Sequence, residues 1–227
     1  RINLNNKKID LLNKIQNNTL RVDDICSVNY GLRPSSEKLG LKKADFISTS
    51  NINGNFKKYF EGKDMGYWTI KSSSFLNYRP DVMYNAMFKE LFESEKLVGL
   101  RTLSDIGKLR FIYDIDNFYC NDSVVVLTLW SNFKGVNYQT IKRLISDDKI
   151  LTSKKFKLKY IQSILNSTLI KFYVNELLYD GTHFYPNHMK QLPIRIADPR
   201  LQENFENKAE KLFQMELNSQ DYVKEFF

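Results

Sequence analysis

Residues 24–36 read DICSVNYGLRPSS and join a strand pattern to a loop pattern. Residues 22–28 fit a short strand, which ends as the chain reaches a glycine and a proline. Gly31 tolerates backbone angles that other residues avoid, and Pro34 cannot donate a hydrogen bond to a neighbouring strand. We therefore predict a strand over residues 22–28 and a loop over residues 31–36.

The segments on either side differ in their periodicity. Residues 5–20 carry Ile9, Leu12, Ile15 and Leu20 at roughly helical spacing, which predicts a short amphipathic helix leading into the body of the protein. Between residues 56 and 130, short runs rich in Val, Ile, Phe and Tyr are separated by turn residues. This pattern predicts an antiparallel meander with strands at residues 97–103, 110–113 and 118–129.

The C-terminal third changes to helical spacing. Apolar residues recur every three or four positions over residues 161–172, which predicts one amphipathic helix with Leu165 and Leu169 on its buried face. A short strand at residues 192–196 and a last helix at residues 200–218 follow. The patterns together predict an α+β fold, in which an antiparallel β-sheet meander is flanked by helices and a single domain ends in a helical C-terminal part.

The charge balance favours a polyanionic partner. Lys and Arg total 34 against 26 acidic residues, so the net charge is +8 and the pI is about 9.2. Cys26 and Cys120 lie too far apart for a zinc knuckle, and His183 and His188 lack the spacing of a zinc finger. Polar residues interrupt the apolar segment 158–179 and no signal peptide is present, so we expect a cytoplasmic protein without a membrane span.

Several cofactor-binding motifs are missing from the sequence. The nine glycines never fall two residues apart, which excludes the Gly-x-Gly loops that hold dinucleotides or S-adenosylmethionine. No two prolines are adjacent, so the Asn/Asp-Pro-Pro-Tyr/Phe quartet of amino-methyltransferases is absent as well. We therefore expect no cofactor, no metal ion and no catalytic residue in this chain.

Four segments stand in a fixed order: residues 24–36, 61–65 (EGKDM), 164–169 (ILNSTL) and 191–194 (QLPI). Together they resemble the TaqI-like specificity domain, the DNA target-recognition module at the C-terminal end of many restriction-modification methyltransferases. The resemblance covers residues from about 20 to 215. We accordingly divide the chain into a lead-in helix, a target recognition domain and a C-terminal helix packed on it, at residues 1–20, 21–199 and 200–227.

The resemblance implies a domain that binds double-stranded DNA and does not catalyse. Its partner would be the adenine-specific methyltransferase domain of the same polypeptide, which would lie upstream of Arg1 and use S-adenosylmethionine. A fused endonuclease would add Mg²⁺ to the requirements of the parent enzyme. The recognition domain would close over the duplex opposite the catalytic domain while the target adenine is flipped out.

Cations that neutralise phosphates supply affinity for DNA, and side chains that reach base edges supply discrimination. Gly31 would let the loop approach the duplex closely, and Pro34 would stiffen that loop. The candidates for base contacts are Arg33, Ser35, Ser36, Arg101, Thr102, His183 and Tyr185. The candidates for phosphate contacts are Lys57, Lys58, Lys63, Lys108, Lys154, Lys155, Lys157 and Lys159.

Other interpretations stay open at this point. Asp45, Glu61 and Lys63 loosely fit the acid, acid-x-lysine pattern of metal-dependent nucleases, in which carboxylates hold Mg²⁺. The separate specificity subunit of a type I restriction system shares the glycine loop and the Leu-Pro-Ile feature. A protein-binding module with an incidental basic face is a further alternative.

Overall fold

The computed structural model describes residues 6–181 and 184–226 as an α+β structure. Two four-stranded sheets and one two-stranded sheet lie among helices in this part of the chain, and most strand pairs are antiparallel. The C-terminal part is helical. These features confirm the predicted fold class.

The elements follow one another along the chain as mixed strands and helices. The first ten are α1 (Asn6–Gln16), β1 (Thr19–Arg21), α2 (Val22–Ile25), β2 (Cys26–Tyr30), β3 (Ile47–Ser48), β4 (Lys57–Phe60), β5 (Ser74–Leu76), α3 (Lys89–Glu93), β6 (Lys96–Leu100) and β7 (Phe111–Asp114). The others are β8 (Tyr119–Cys120), β9 (Val124–Leu129), α4 (Gln139–Leu144), α5 (Asp147–Ser153), α6 (Leu158–Leu165), α7 (Thr168–Leu177), α8 (Pro186–Met189), β10 (Pro193–Arg195) and α9 (Pro199–Phe226).

The main sheet has the strand order β2-β9-β6-β7, and each of its pairs is antiparallel. β9 lies between β2 and β6, so strands that are distant in sequence become neighbours. All six residues of β9 are buried. Val125, Leu127 and Leu129 pack into one hydrophobic core, while Val124 and Val126 pack into a second core on the opposite face.

Each face of the main sheet has its own cover. On one face, helices α1, α6, α7 and α8 close the first core with residues such as Ile161 and Met189. On the other face, the second sheet, with strand order β3-β5-β4-β8, closes the second core with residues such as Tyr59 and Tyr119. Because both faces are covered, the ends of the strands and their connecting loops are the parts of the sheet that other molecules can reach.

The strand predicted over residues 22–28 is wrong at its beginning. Val22–Ile25 form the helical turn α2, and β2 begins only after it. The Asp24 carboxylate accepts a hydrogen bond of 2.9 Å from the backbone N–H of Arg21, which closes the turn. Val22 and Ile25, the first and last residues of the turn, are three positions apart and both pack into the first core. A strand would send residues at that spacing to opposite faces.

The single helix predicted over residues 161–172 is also wrong, because the structure has two helices there. α6 and α7 are separated at Asn166 and Ser167, and the Ser167 hydroxyl accepts a hydrogen bond of 3.2 Å from a backbone N–H in the first turn of α7. Leu165 is buried as predicted, whereas Leu169 is 52% exposed. The break rotates α7 relative to α6, so one helical stripe cannot describe both.

The Asn166 side chain satisfies backbone groups of the edge strand β7. Its Oδ1 accepts from the backbone N–H of Phe111 at 2.7 Å, and its Nδ2 donates to the Phe111 carbonyl at 2.9 Å. Gln162 donates to the same carbonyl at 3.0 Å. An edge strand leaves such groups unpaired, so the amide of Asn166 takes the place of a neighbouring strand.

The long helix α9 packs against the rest of the protein. Lys157 Nζ lies 2.6 Å from the carboxylate of Glu206, and the Glu216 carboxylate accepts hydrogen bonds from the backbone N–H groups of Tyr67 and Trp68. No helix in the described ranges has an apolar segment long enough to cross a bilayer. The division of the chain into units at residues 20 and 199 stays a prediction.

A buried ion pair joins β6 to β7. Lys96 Nζ lies 2.7 Å from Asp114 Oδ2, and the two side chains are 0% and 1% exposed. Lys96 also donates to the Phe92 carbonyl, and Asp114 accepts the backbone N–H groups of Asp116 and Phe118. Burial raises the pKa of Asp114, and the charge of Lys96 opposes that increase. Both charges therefore have several partners, as a stable buried pair requires.

We expect Lys96→Met to lower the free energy of unfolding by about 3–5 kcal/mol, because it leaves the Asp114 carboxylate buried without its cation. Urea unfolding followed by circular dichroism measures the loss. Lys58→Met is the matched control, since Lys58 pairs with Asp116 at 3.3 Å on the surface and should contribute at most about 1 kcal/mol. Equal losses in the two variants would contradict this account of the buried pair.

Candidate nucleic-acid interface

One end of the main sheet brings together residues from separate parts of the sequence. β2 and β6 both run antiparallel to β9, with Tyr30 opposite Val125 and Leu100 opposite Val124. The last residues of β2 and β6 therefore lie beside the beginning of β9. The residues that follow or precede these strand ends, Arg33, Arg101 and Asp122, meet at this place.

Arg33, Arg101 and Asp122 form an ion-paired group that we call the arginine cluster. Arg33 Nε lies 2.7 Å from Asp122 Oδ2, and Arg101 Nη1 lies 3.5 Å from the same oxygen. Arg101 Nη1 also donates to the backbone carbonyl of Asp122 at 3.3 Å. The hydrogen bond to Asp122 raises the pKa of Arg33 further above its ordinary value. Two cations share one carboxylate, so the cluster carries a net positive charge.

An open groove of about 480 Å³ lies beside the arginine cluster. The guanidinium of Arg101 stacks over the Tyr30 ring at 5.0 Å from its centre, and Tyr30 lines the groove. Tyr185, His188 and Lys190 line it as well. The groove thus combines aromatic faces with cations and hydrogen-bond donors, the groups that nucleic-acid sites use for stacking and for phosphates.

The turn that carries Asp122 is held in place by its neighbours. The Asn121 carbonyl accepts from the backbone N–H of Val124 at 3.0 Å, which closes the turn. The Ser123 hydroxyl accepts from the Gly62 N–H at 2.9 Å, and the Ser123 carbonyl accepts from the Arg101 N–H at 3.0 Å. Asp122 therefore sits on a rigid support between the 62–64 turn and the end of β6.

Gly31 packs closely against the turn that carries Asp122. Its backbone does not adopt the left-handed conformation found at Gly40 or Gly181. A Cβ atom at Gly31 would lie 2.2 Å from the Asn121 carbonyl oxygen, so only glycine lets the chain pass there. The unusual backbone angles expected at Gly31 are not present, whereas the loop that it begins does carry Arg33 to the surface.

The two serines of the loop differ in their surroundings. Ser36 pairs with Leu41 through two backbone hydrogen bonds of 2.9 Å and is only 5% exposed, so a base cannot reach it in this conformation. Ser35 is half-buried, and its carbonyl accepts from the backbone N–H of Tyr84 at 2.6 Å. Thr102 is exposed and follows Arg101. His183 lies outside the described residues.

The predicted phosphate contacts are spread over several surfaces. Lys63 belongs to the 62–64 turn beside the arginine cluster, and its side chain is 75% exposed. Lys108 is exposed next to β7 and donates to the Ser104 hydroxyl. Other lysines pair with carboxylates elsewhere: Lys57 with Glu93, Lys58 with Asp116, Lys157 with Glu206 and Lys159 with Glu210. Lys154 and Lys155 lie near the beginning of α9.

The residues of the nuclease pattern are engaged in other contacts. Glu61 accepts from Lys43 Nζ at 2.7 Å and from the Tyr59 hydroxyl at 3.2 Å, and Lys63 lies 3.6 Å away. Asp45 accepts the backbone N–H of Lys42 at 2.7 Å and caps its own turn. Within the part of the chain that the structure describes, no three His, Cys, Asp or Glu residues are grouped so that they could hold a metal ion.

Sequence reasoning missed several residues of this surface. Asp122 was taken as part of a long strand run, although Asn121, Asp122 and Ser123 are typical turn residues and indicate a break before the valines of β9. Tyr30 ends β2 at the surface, where strand residues alternate between faces. Lys190 has no distinguishing local signal, because only the fold brings it to the groove.

Comparison with known proteins finds similar solved structures but no matching sequence family. No protein-family model and no curated protein matches this chain. The crystal structure of the type-I restriction-modification system S subunit from M. genitalium is 16% identical and aligns over 92% of this chain and 41% of its own, with a TM-score of 0.49. The HsdS subunit from Thermoanaerobacter tengcongensis is 10% identical and aligns over 96% of this chain and 44% of its own, with a TM-score of 0.48. This chain spans less than half the length of either neighbour.

We expect Glu61→Gln to lower the free energy of unfolding by about 1–2 kcal/mol at neutral pH, because it removes the charge that Lys43 and Lys63 face. Burial alone would raise the pKa of Glu61, but the lysines and Tyr59 outweigh it and lower that pKa below its ordinary value of 4.5. The stabilisation is therefore complete above pH 4.5 and is lost as the pH falls through the lowered value.

Thermal unfolding of both proteins across the acid range measures this difference. The gap between wild type and Glu61→Gln should close at low pH. A gap that stays constant with pH would show that the ionised carboxylate of Glu61 contributes nothing to stability. Asp45→Asn is a useful control, because Asp45 accepts a backbone hydrogen bond and forms no ion pair within the described residues.

Proposed function

We propose that this chain is a DNA target recognition domain of a restriction-modification system, which binds duplex DNA and leaves catalysis to another domain or subunit. The observation that supports this most directly is the pairing of Arg33 and Arg101 with Asp122 at one end of the main sheet, beside a groove that Tyr30 and Tyr185 line. Arg33, Arg101 and Tyr185 are candidates for base contacts from separate parts of the sequence. A rigid sheet that presents such side chains on loops suits the reading of base edges.

The two arginines suit different parts of that task. Arg33 has the more exposed side chain, 51% against 33% for Arg101. A guanidinium can donate two parallel hydrogen bonds to guanine O6 and N7, which is the commonest specific contact to a base. We therefore assign the principal base contact to Arg33. Arg101 is held between Asp122 and the Tyr30 ring, so we assign it a supporting role in the packing of this surface.

Phosphate contacts would come from lysines that border the same surface. Lys63 belongs to the turn whose Gly62 N–H binds Ser123, and its side chain is 75% exposed although Glu61 lies 3.6 Å away. Lys190 lines the groove on the side of Tyr185. The lysines that pair with Glu206 and Glu210 of α9 are less available, because DNA would have to compete with those carboxylates.

We also propose which kind of protein or complex contains this domain. The motif resemblance supports a place beside an adenine-specific methyltransferase in the cytoplasm, with S-adenosylmethionine as its cofactor and Mg²⁺ where an endonuclease is fused. The methyltransferase is either a domain of the same polypeptide or a separate subunit that a specificity subunit directs. Purification of the native protein distinguishes them: the first gives methyltransferase activity in one polypeptide, and the second gives a complex.

We expect the chain to bind random duplex DNA with an affinity that falls as salt rises. The logarithm of the binding constant should decrease against the logarithm of the salt concentration with a slope of about −0.9 for each phosphate contact. Fluorescence anisotropy over a salt series, with and without Mg²⁺, measures this. Binding that salt does not change would contradict an affinity that comes from phosphate contacts, and Mg²⁺-dependent cleavage lost in Glu61→Ala would support the nuclease.

We expect Arg33→Ala to cost about 1–3 kcal/mol of binding free energy on a duplex selected from a random pool, and little on random DNA. Competition binding with the two duplexes measures the difference. Lys63→Ala is the contrasting variant: it should weaken both complexes alike and make the salt slope shallower by about 0.9. An equal loss on both duplexes for Arg33→Ala would make Arg33 a phosphate contact.

A further inference from the structure

Asp122 is the residue that links the two arginines of the candidate interface, and nothing in its sequence context marks it as a DNA contact. We propose that Asp122 is a positioning residue for sequence discrimination: its carboxylate orients Arg33 toward a base edge and prevents both arginines from binding phosphates indiscriminately. This inference rests on the proposed function and adds to it the residue that determines specificity.

The first support is the geometry of the Arg33 side chain. Asp122 Oδ2 binds Nε of Arg33 at 2.7 Å. Within the described part of the chain, Nη1 and Nη2 of Arg33 donate no hydrogen bond, and the side chain is 51% exposed. These two nitrogens form the edge of the guanidinium that can donate a parallel pair of hydrogen bonds to guanine. Asp122 thus holds the side chain by one nitrogen and leaves the recognition edge open.

The second support is the rigidity of the Asp122 turn. The neighbouring Ser123 accepts the Gly62 N–H with its hydroxyl and the Arg101 N–H with its carbonyl. The turn closes onto Val124 of the buried strand β9. A carboxylate on such a support has a fixed position. Because a free arginine side chain loses rotamer entropy when it binds, orienting it before binding reduces the free energy that docking would cost.

The third support is the sign of the charge. A carboxylate next to two arginines repels a phosphate that approaches them, and it does so for every DNA sequence. A base edge that accepts hydrogen bonds carries no full negative charge and is repelled less. Asp122 should therefore lower the affinity for random DNA while it preserves the affinity for the selected site, so that the ratio of the two affinities rises.

Asp122→Asn tests the proposal because it removes the charge with almost no change in size. We expect the affinity for random duplex to increase, the salt slope to become steeper by about 0.9, and the ratio of selected to random affinity to fall about tenfold. Asp122→Glu keeps the charge but moves the carboxylate by one methylene. It should keep the wild-type salt slope and still lose discrimination, because the orientation of Arg33 changes.

Glu176→Gln is the matched control for the change in charge. Glu176 pairs with Lys8 at 3.0 Å between α7 and α1, so the variant also removes one negative charge from an ion pair. It should leave the ratio of selected to random affinity at the wild-type value. A similar fall in this variant would attribute the effect to net charge and overturn the role of Asp122.

The outcomes separate the two proposals. If wild type prefers the selected duplex and Asp122→Asn discriminates equally well, the positioning role is wrong and the proposed function stands. If Asp122→Asn weakens binding to both duplexes together with a lower melting temperature, Asp122 has only a structural role. If wild type binds no duplex in preference to random DNA, the proposed function itself fails, and the positioning role fails with it.

Discussion

Burial of β9 on both faces is the constraint on which the rest of the structure depends. Val125, Leu127 and Leu129 enter the helix-covered core, and Val124 and Val126 enter the core beneath the second sheet. A shift of one residue in pairing would exchange these two sets between cores of different shape, so the register against β2 and β6 is strongly specified. That register also determines where the ends of β2, β6 and β9 lie relative to one another, and it thereby brings Tyr30, Arg101 and the Asp122 turn together.

The main sheet places different chemistry at the two ends of β6. At its beginning, Lys96 and Asp114 are buried and fully paired, so they contribute to stability and are inaccessible to a ligand. At its end, the arginine cluster is partly exposed and its two cations share one carboxylate. The proposed sequence-reading surface would use both properties, because base contacts depend on exact placement of donors and phosphate contacts depend on charge.

Local patterns in the sequence predicted much of this molecule. The α+β class, the strands near residues 97–103 and 110–113, and the loop position of Arg33 follow from composition and periodicity, whereas Arg101 lies just beyond the strand in which it was predicted. The pairing of β9 with β2 and β6 joins segments about a hundred and about thirty residues apart, and no local pattern encodes it. Capping hydrogen bonds account for two differences between the predicted and the observed elements. Asp24 closes a helical turn where a strand was predicted, and Ser167 begins a new helix where one continuous helix was predicted. Asp122 could not be identified as part of the surface until the fold showed which side chains it pairs with.

The crystal structure of this chain bound to a duplex selected from a random pool tests the central claim most directly. The account predicts that the duplex lies across the end of the main sheet, with Arg33 Nη1 and Nη2 within about 2.7–3.2 Å of acceptors on a base edge and Asp122 still bound to Nε. A duplex that lies instead along α9 and the lysines of residues 154–159, with the arginine cluster unoccupied, would contradict the account.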